Sequence, residues 1–166
     1  MLIENIASFQ IWAGEKIRSV LHELTAKDFN HSLGTPFKEP NNTVRALCLH
    51  IVLALETCFV IVDKITEREE MNKIYDAAYT CSNAELLTRW KILDEKLAAA
   101  IREKKEGMVE VFHLSEPFEM PLLDFFFQYV NHTTYHRGQV ILALSKLCKK
   151  TIGTDYLFMF KERHLN

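Results

Sequence analysis

Residues 46–62, ALCLHIVLALETCFVIV, would be apolar on every side of a helix, and they constrain the fold more than any other part of the chain. Such a helix is either a membrane span or the centre of a packed domain. The run is about the minimum length for a bilayer crossing, holds His50 and Glu56, and is bounded by Arg45 and Asp63. It therefore reads as a core helix that other helices must cover, not as a membrane segment. With 5 Gly and 4 Pro in 166 residues, tight turns are few, which favours long helices over many short strands. That length suits one hydrophobic core, so a single domain over residues 1–166 is expected.

Around that core helix the pattern supplies three more. The first runs over residues 3–24, with Ile6, Phe9, Ile17, Val20, Leu21 and Leu24 as its apolar stripe. A long connection follows over 25–42, carrying Gly34, Pro36 and Pro40. Asn42 or Thr43 caps the second helix, which continues to about residue 65. Residues 66–81 begin with a charged run and read as a solvated connection with room for a short helix. Ser82 or Asn83 starts the third helix, which ends near Gly107. Residues 108–114, MVEVFHL, alternate with period two, as one arm of a short hairpin does, and its partner would lie near Pro117. Pro121 suits the first turn of a fourth helix reaching Cys148. A short C-terminal helix capped by Thr154 or Asp155 runs to Arg163. The expected fold is all-α: an antiparallel four-helix bundle with a long first connection, a hairpin before helix four and a short last helix.

Composition excludes several classes. The chain is 48% hydrophobic and 25% charged, which is ordinary for a globular protein and wrong for a disordered one. A net charge of −2 gives no nucleic-acid footprint. Cys48, Cys58, Cys81 and Cys148 show no C-x-x-C spacing, and the start MLIENIASFQ has no basic region ahead of an apolar one. Reduced thiols and a cytoplasmic location are the simplest expectation.

The chemistry lies in the histidines. His132 and His136 are four residues apart within an apolar helical run, so they share one face with Cβ atoms about 5–6 Å apart. That face also holds Phe125, Gln128, Tyr129, Val140 and Ala143 and is the buried one. His50 sits midway along the core helix, where an unsatisfied polar group costs roughly 1–3 kcal/mol. Three imidazoles converging on one divalent ion would offset that cost. The competing reading is three core histidines, each hydrogen-bonded to a neighbour, and the residues alone leave the two evenly matched. With 7 histidines, roughly 0.3 pairs at this spacing arise by chance, so the pair is weak evidence by itself.

A three-imidazole set suits Zn²⁺, Ni²⁺, Cu²⁺ or Fe²⁺ and leaves a position for water or substrate, as catalytic sites do. Glu56, six residues beyond His50, is turned about 120° from it and makes a structural pair or faces another helix rather than binding the metal. Gln139 is placed to hold His136, with Asn131 a further candidate, whereas Arg137 points toward an acid on a neighbouring helix. His22, His31, His113 and His164 lack the paired spacing and stay outside the site. Trp12 and Trp90 are assigned to packing or dimer contacts.

The segment 130–140, VNHTTYHRGQV, resembles the signature of the DinB family. FQIWA at 9–13, LHIVLALE at 49–56 and TDYLF at 154–158 are similar to other family segments in the same order, so the resemblance spans nearly the whole chain. It implies a four-helix bundle, a divalent ion (zinc or nickel) on His50, His132 and His136, and a homodimer. Some relatives transfer low-molecular-weight thiols such as bacillithiol or mycothiol, or are thiol-dependent isomerases. The resemblance thus implies a metal-dependent enzyme acting on a small-molecule substrate. Its ion would activate a thiol for transfer to an electrophile, or water for hydrolysis. The alternative is a non-catalytic stress-response protein in which the ion is structural. A thiol bearing carboxylates would need a nearby cation, for which Arg45, Arg89 and Arg137 are the candidates. The aromatic run Phe125-Phe126-Phe127 offers apolar surface compatible with a dimer.

Overall fold

The computed structural model describes residues 2–103, 106–112, 116–147, 149–150 and 152–164. These form seven helices and one antiparallel hairpin: α1 (Leu2–Leu21), α2 (Ala26–Asn30), α3 (Val44–Val62), α4 (Arg68–Thr80), α5 (Asn83–Arg102), β1 (Met108–Val111), β2 (Phe118–Pro121), α6 (Leu122–Lys146) and α7 (Tyr156–His164). The four long helices α1, α3, α5 and α6 form the expected four-helix bundle, in which one pair, α3 and α5, runs parallel rather than antiparallel. The order of their side-chain contacts gives their directions. Glu4 meets Arg102 while Arg18 meets Asp94, so α1 and α5 run antiparallel. Arg45 meets Asn83, Glu56 meets Arg89 and Asp63 meets Lys96, so α3 and α5 run the same way. A crossover must join two such helices, and α4 supplies it.

The apolar helix α3 is the core of the domain. By length and composition it could cross a membrane, yet 56% of its most apolar window is buried among the other helices. Leu47, Cys48, Ile51, Val52, Leu55 and Cys58 are fully enclosed. Thr43 caps it, its hydroxyl accepting from the Ala46 N–H.

Four expectations change. Helix α1 stops at Leu21 rather than Leu24 because Thr25 and Asp28 form a capping box that starts α2 inside the long connection. Residues 66–81, expected as a solvated connection with room for a short helix, hold a 13-residue one. The stretch has no Gly or Pro to stop one. Its Tyr75 hydroxyl lies 3.2 Å from Thr57 of α3. Helix α5 ends at Arg102 because Gly107, at φ +131, opens the hairpin. Pro121 is the last residue of β2 and the N-cap of α6, not part of its first turn, since its ψ of 132° is extended.

The hairpin pairs Met108 with Pro121 and Val111 with Phe118, which puts the partner strand just past Pro117 as expected. Leu114 and Cys148, expected to end the first arm and the fourth helix, lie outside the described residues, as does His113. Phe125 and Phe126 are core and Phe127 is half-buried, so the aromatic run is used within the chain rather than left as spare surface.

Candidate metal centre

His132 and His136 share one face of α6, and α3 brings His50 against them. Ring centroids are 4.5 Å apart for His132–His136, 4.1 Å for His50–His136 and 5.6 Å for His50–His132. One ring nitrogen from each lies within 4.8 Å of the other two. Nitrogens bound to one zinc-sized ion at about 2.0–2.1 Å would sit roughly 3.4 Å apart, so small ring rotations close the set. The donors therefore fit a divalent transition ion.

Their hydrogen bonding separates the two readings of these histidines. Gln139 Oε1 lies 2.7 Å from His136 Nδ1. The Gln139 amide nitrogen donates to the Tyr135 hydroxyl at 3.2 Å, which directs its oxygen at the histidine. The His136 Nδ1 must then carry the proton, leaving Nε2 with a lone pair for a metal. Neither His50 nor His132 has a hydrogen-bond partner among the described residues, so they are not core histidines satisfied by neighbours. Burial, aided by His136 and His132, pushes the His50 imidazole down to about 4. Burial and His136 lower His132 as well. At neutral pH both are in the uncharged form that binds metal.

The site is open on one side. A cavity of about 750 Å³ between α3, α6 and the hairpin includes His50 and His132 in its lining. Leu53, Phe118, Phe125 and Tyr129 are among its walls, and Asp124 and Asn131 also reach it. Asn131 thus faces the cavity; no hydrogen bond ties it to a histidine among the described residues.

The three arginines considered as anion partners are all engaged elsewhere. Arg45 donates to the Asn83 side chain at 2.7 Å and to the carbonyls of Cys81 and Tyr79. Arg89 pairs with Glu56 at 2.6 Å, which accounts for that acid as an ion-pair partner and keeps it off the metal. Arg137 is 1% exposed and does not bond an acid directly, contrary to expectation. It donates to the Gln10 carbonyl at 3.2 Å and to Thr134 Oγ1 at 2.7 Å. His22 and His31 are exposed and outside the histidine cluster.

Sequence reasoning missed the buried polar network beneath the site. Asp94 on α5, fully enclosed, accepts from Gln10 Nε2 at 2.7 Å and from the Arg18 guanidinium. Gln10 Oε1 accepts in turn from Arg137 and Thr133 on α6. Burial pushes the Asp94 carboxyl up while Arg18 and Arg137 pull it back. The Arg137 guanidinium, lowered by burial to about 10, keeps its charge at neutral pH. The signal was present: Gln10, Gly14 and Arg18 recur every four residues on a buried face. A Cβ on Gly14 would collide with the Asp94 carboxylate and Arg18. This network fixes α6, and with it His132 and His136, against α1 and α5.

Trp90 is a core residue with the Arg18 guanidinium over its ring, and Trp12 donates to Glu162 at 2.9 Å, so both pack within the chain. No curated protein matches the chain. The model of the DinB family matches residues 2–163, which takes in all three histidines, the hairpin and the network. By that match, the three-histidine bundle belongs to the DinB family.

Proposed function

We propose that the protein is a metal-dependent enzyme whose His50, His132 and His136 hold a divalent transition ion, zinc or nickel, that activates a small nucleophile. The nucleophile is a low-molecular-weight thiol transferred to an electrophilic substrate, or water in a hydrolysis. The observation that carries this reading is the cavity lined in part by His50 and His132. Bound there, the ion supplies the Lewis acidity that keeps a thiol or water deprotonated near neutral pH.

The chain's own residues do the rest. Gln139 fixes the ring and tautomer of His136. The Arg137–Gln10–Asp94 network holds the helix that carries two of the three ligands. The apolar walls exclude water around the reacting atoms, which strengthens every charge interaction inside. In a thiol transfer the sulfur–carbon bond forms, the bond to the leaving group breaks, and the thiol proton passes to solvent.

The alternative, an ion that only ties α3 to α6, calls for a closed and dry shell; the cavity favours catalysis. Cytoplasmic action fits the free Cys48, Cys58 and Cys81. Homodimerisation belongs to the same proposal: Tyr135 and Leu142, 64% and 46% exposed, are seven residues apart on one face of α6. Sedimentation of the full chain tests it.

The direct test of activity uses zinc- or nickel-loaded protein with chlorodinitrobenzene and mercaptoethanol, beside nitrophenyl acetate for hydrolysis. Turnover that is lost on chelation and in His132→Ala supports the proposal. Turnover unchanged by either treatment, or none with any probe, contradicts it.

A further inference from the structure

The residues that line the cavity include no lysine or arginine. Between Lys105 and Arg137 the sequence has no lysine or arginine but five acids: Glu106, Glu110, Glu116, Glu119 and Asp124. This stretch provides both hairpin strands and the first half of α6. The opposite wall, residues 46–62 of α3, also lacks a lysine or arginine, and its one acid, Glu56, is neutralised by Arg89. Glu110 and Glu119 face each other across the hairpin on its exposed side, a like-charge pairing that costs stability. Asp124 lines the cavity itself and has no ion-pair partner among the described residues.

We propose that the cavity receives a cationic amphiphile: a small amine with an aromatic or alkyl body. The body lies against Phe118, Phe125 and Tyr129, the ammonium group is at Asp124, and the reactive end is at His50 and His132. The aromatic faces attract the same positive charge. The five carboxylates of residues 106–124, with no lysine or arginine among them, make this stretch net negative and so favour a cation over an anion. An anionic ligand finds none of this. Arg45, Arg89 and Arg137, which would be needed for a carboxylate-bearing thiol, are committed to carbonyls, Glu56 and Gln10 respectively. The inference rests on the reading of the histidine face as the reactive end, and it names the substrate class for that site.

The test compares naphthylethylamine with naphthylpropanoate, which share a ring and differ in the sign of their charge. Calorimetric titrations use the full-length chain, metal-free and zinc-loaded, as wild type, Asp124→Asn and Phe118→Ala. Both positions are exposed, so neither change threatens the core. In metal-free wild type the amine binds about fivefold tighter than the carboxylate, as an exposed ion pair allows. That preference collapses in Asp124→Asn, and Phe118→Ala weakens both probes alike. Equal or tighter binding of the carboxylate to the metal-free protein overturns the proposal. So does an amine affinity that Asp124→Asn leaves unmoved, or no binding of either probe. Because the deciding titration is done without metal, its failure is distinct from failure to bind zinc, which would overturn the enzyme reading instead.

Discussion

Gln139 controls the site at the scale of a single residue. It holds His136 through one 2.7 Å hydrogen bond, and outer hydrogen bonds of this kind typically set metal affinity by a factor of about 10–100. Gln139→Leu is therefore expected to weaken zinc binding by about that factor while the fold and all three ligands persist. Competition against a chromogenic chelator measures it. His50 makes a second prediction, for the metal-free protein. Its folded pKa is about 4 against an ordinary value near 6.5. Above pH 6.5 it is neutral in both states and has no effect. Between 6.5 and about 4 the unfolded chain binds a proton that the folded chain does not, so stability falls as the pH falls. Urea midpoints across that window should decline, and the decline should be shallower in His50→Gln.

Elements are locked together by a seam of buried polar groups and not by apolar packing alone. Removing one partner of a buried pair leaves a charge without compensation, which costs about 3–5 kcal/mol. Asp94→Ala should lose stability on that scale, since it leaves the buried Arg18 without its carboxylate and Gln10 Nε2 without its acceptor. Gly14→Ala should cost about 1–3 kcal/mol, because its Cβ has to displace the Asp94 carboxylate and Arg18 from a close contact. Chemical denaturation reports both, and a change under about 0.5 kcal/mol, as surface substitutions give, would contradict the account. The same elements show what could be read from the chain. Helices with apolar periodicity and clear caps, such as Thr43 before α3 and Ser82 before α5, were legible because each signal is local. The full extent of α4 was not, because its stability comes from docking on α3 through residues like Tyr75 and Ala78. Of the Asp94 network only the four-residue spacing of Gln10, Gly14 and Arg18 was legible, since its bonds between helices join residues 76 to 127 positions apart and only the packed bundle brings them together.

Across the whole molecule, the three-histidine cluster joins the core helix to the long last helix of the bundle. His50 was legible as an oddity in an apolar run and His132 and His136 as a pair. Their meeting at one point depends on α3 packing against α6, which spacing alone does not determine. Binding an ion to the folded state only should stabilise it by mass action, by about 2.7 kcal/mol when free metal is 100 times the dissociation constant. The measurement that bears most directly on the central claim is the metal content of the full-length protein purified without added metal, beside His50→Ala and His136→Ala. The account predicts about one transition ion per chain in the wild type and loss of it in both variants. A wild type that is empty and takes up neither zinc nor nickel on titration would contradict it.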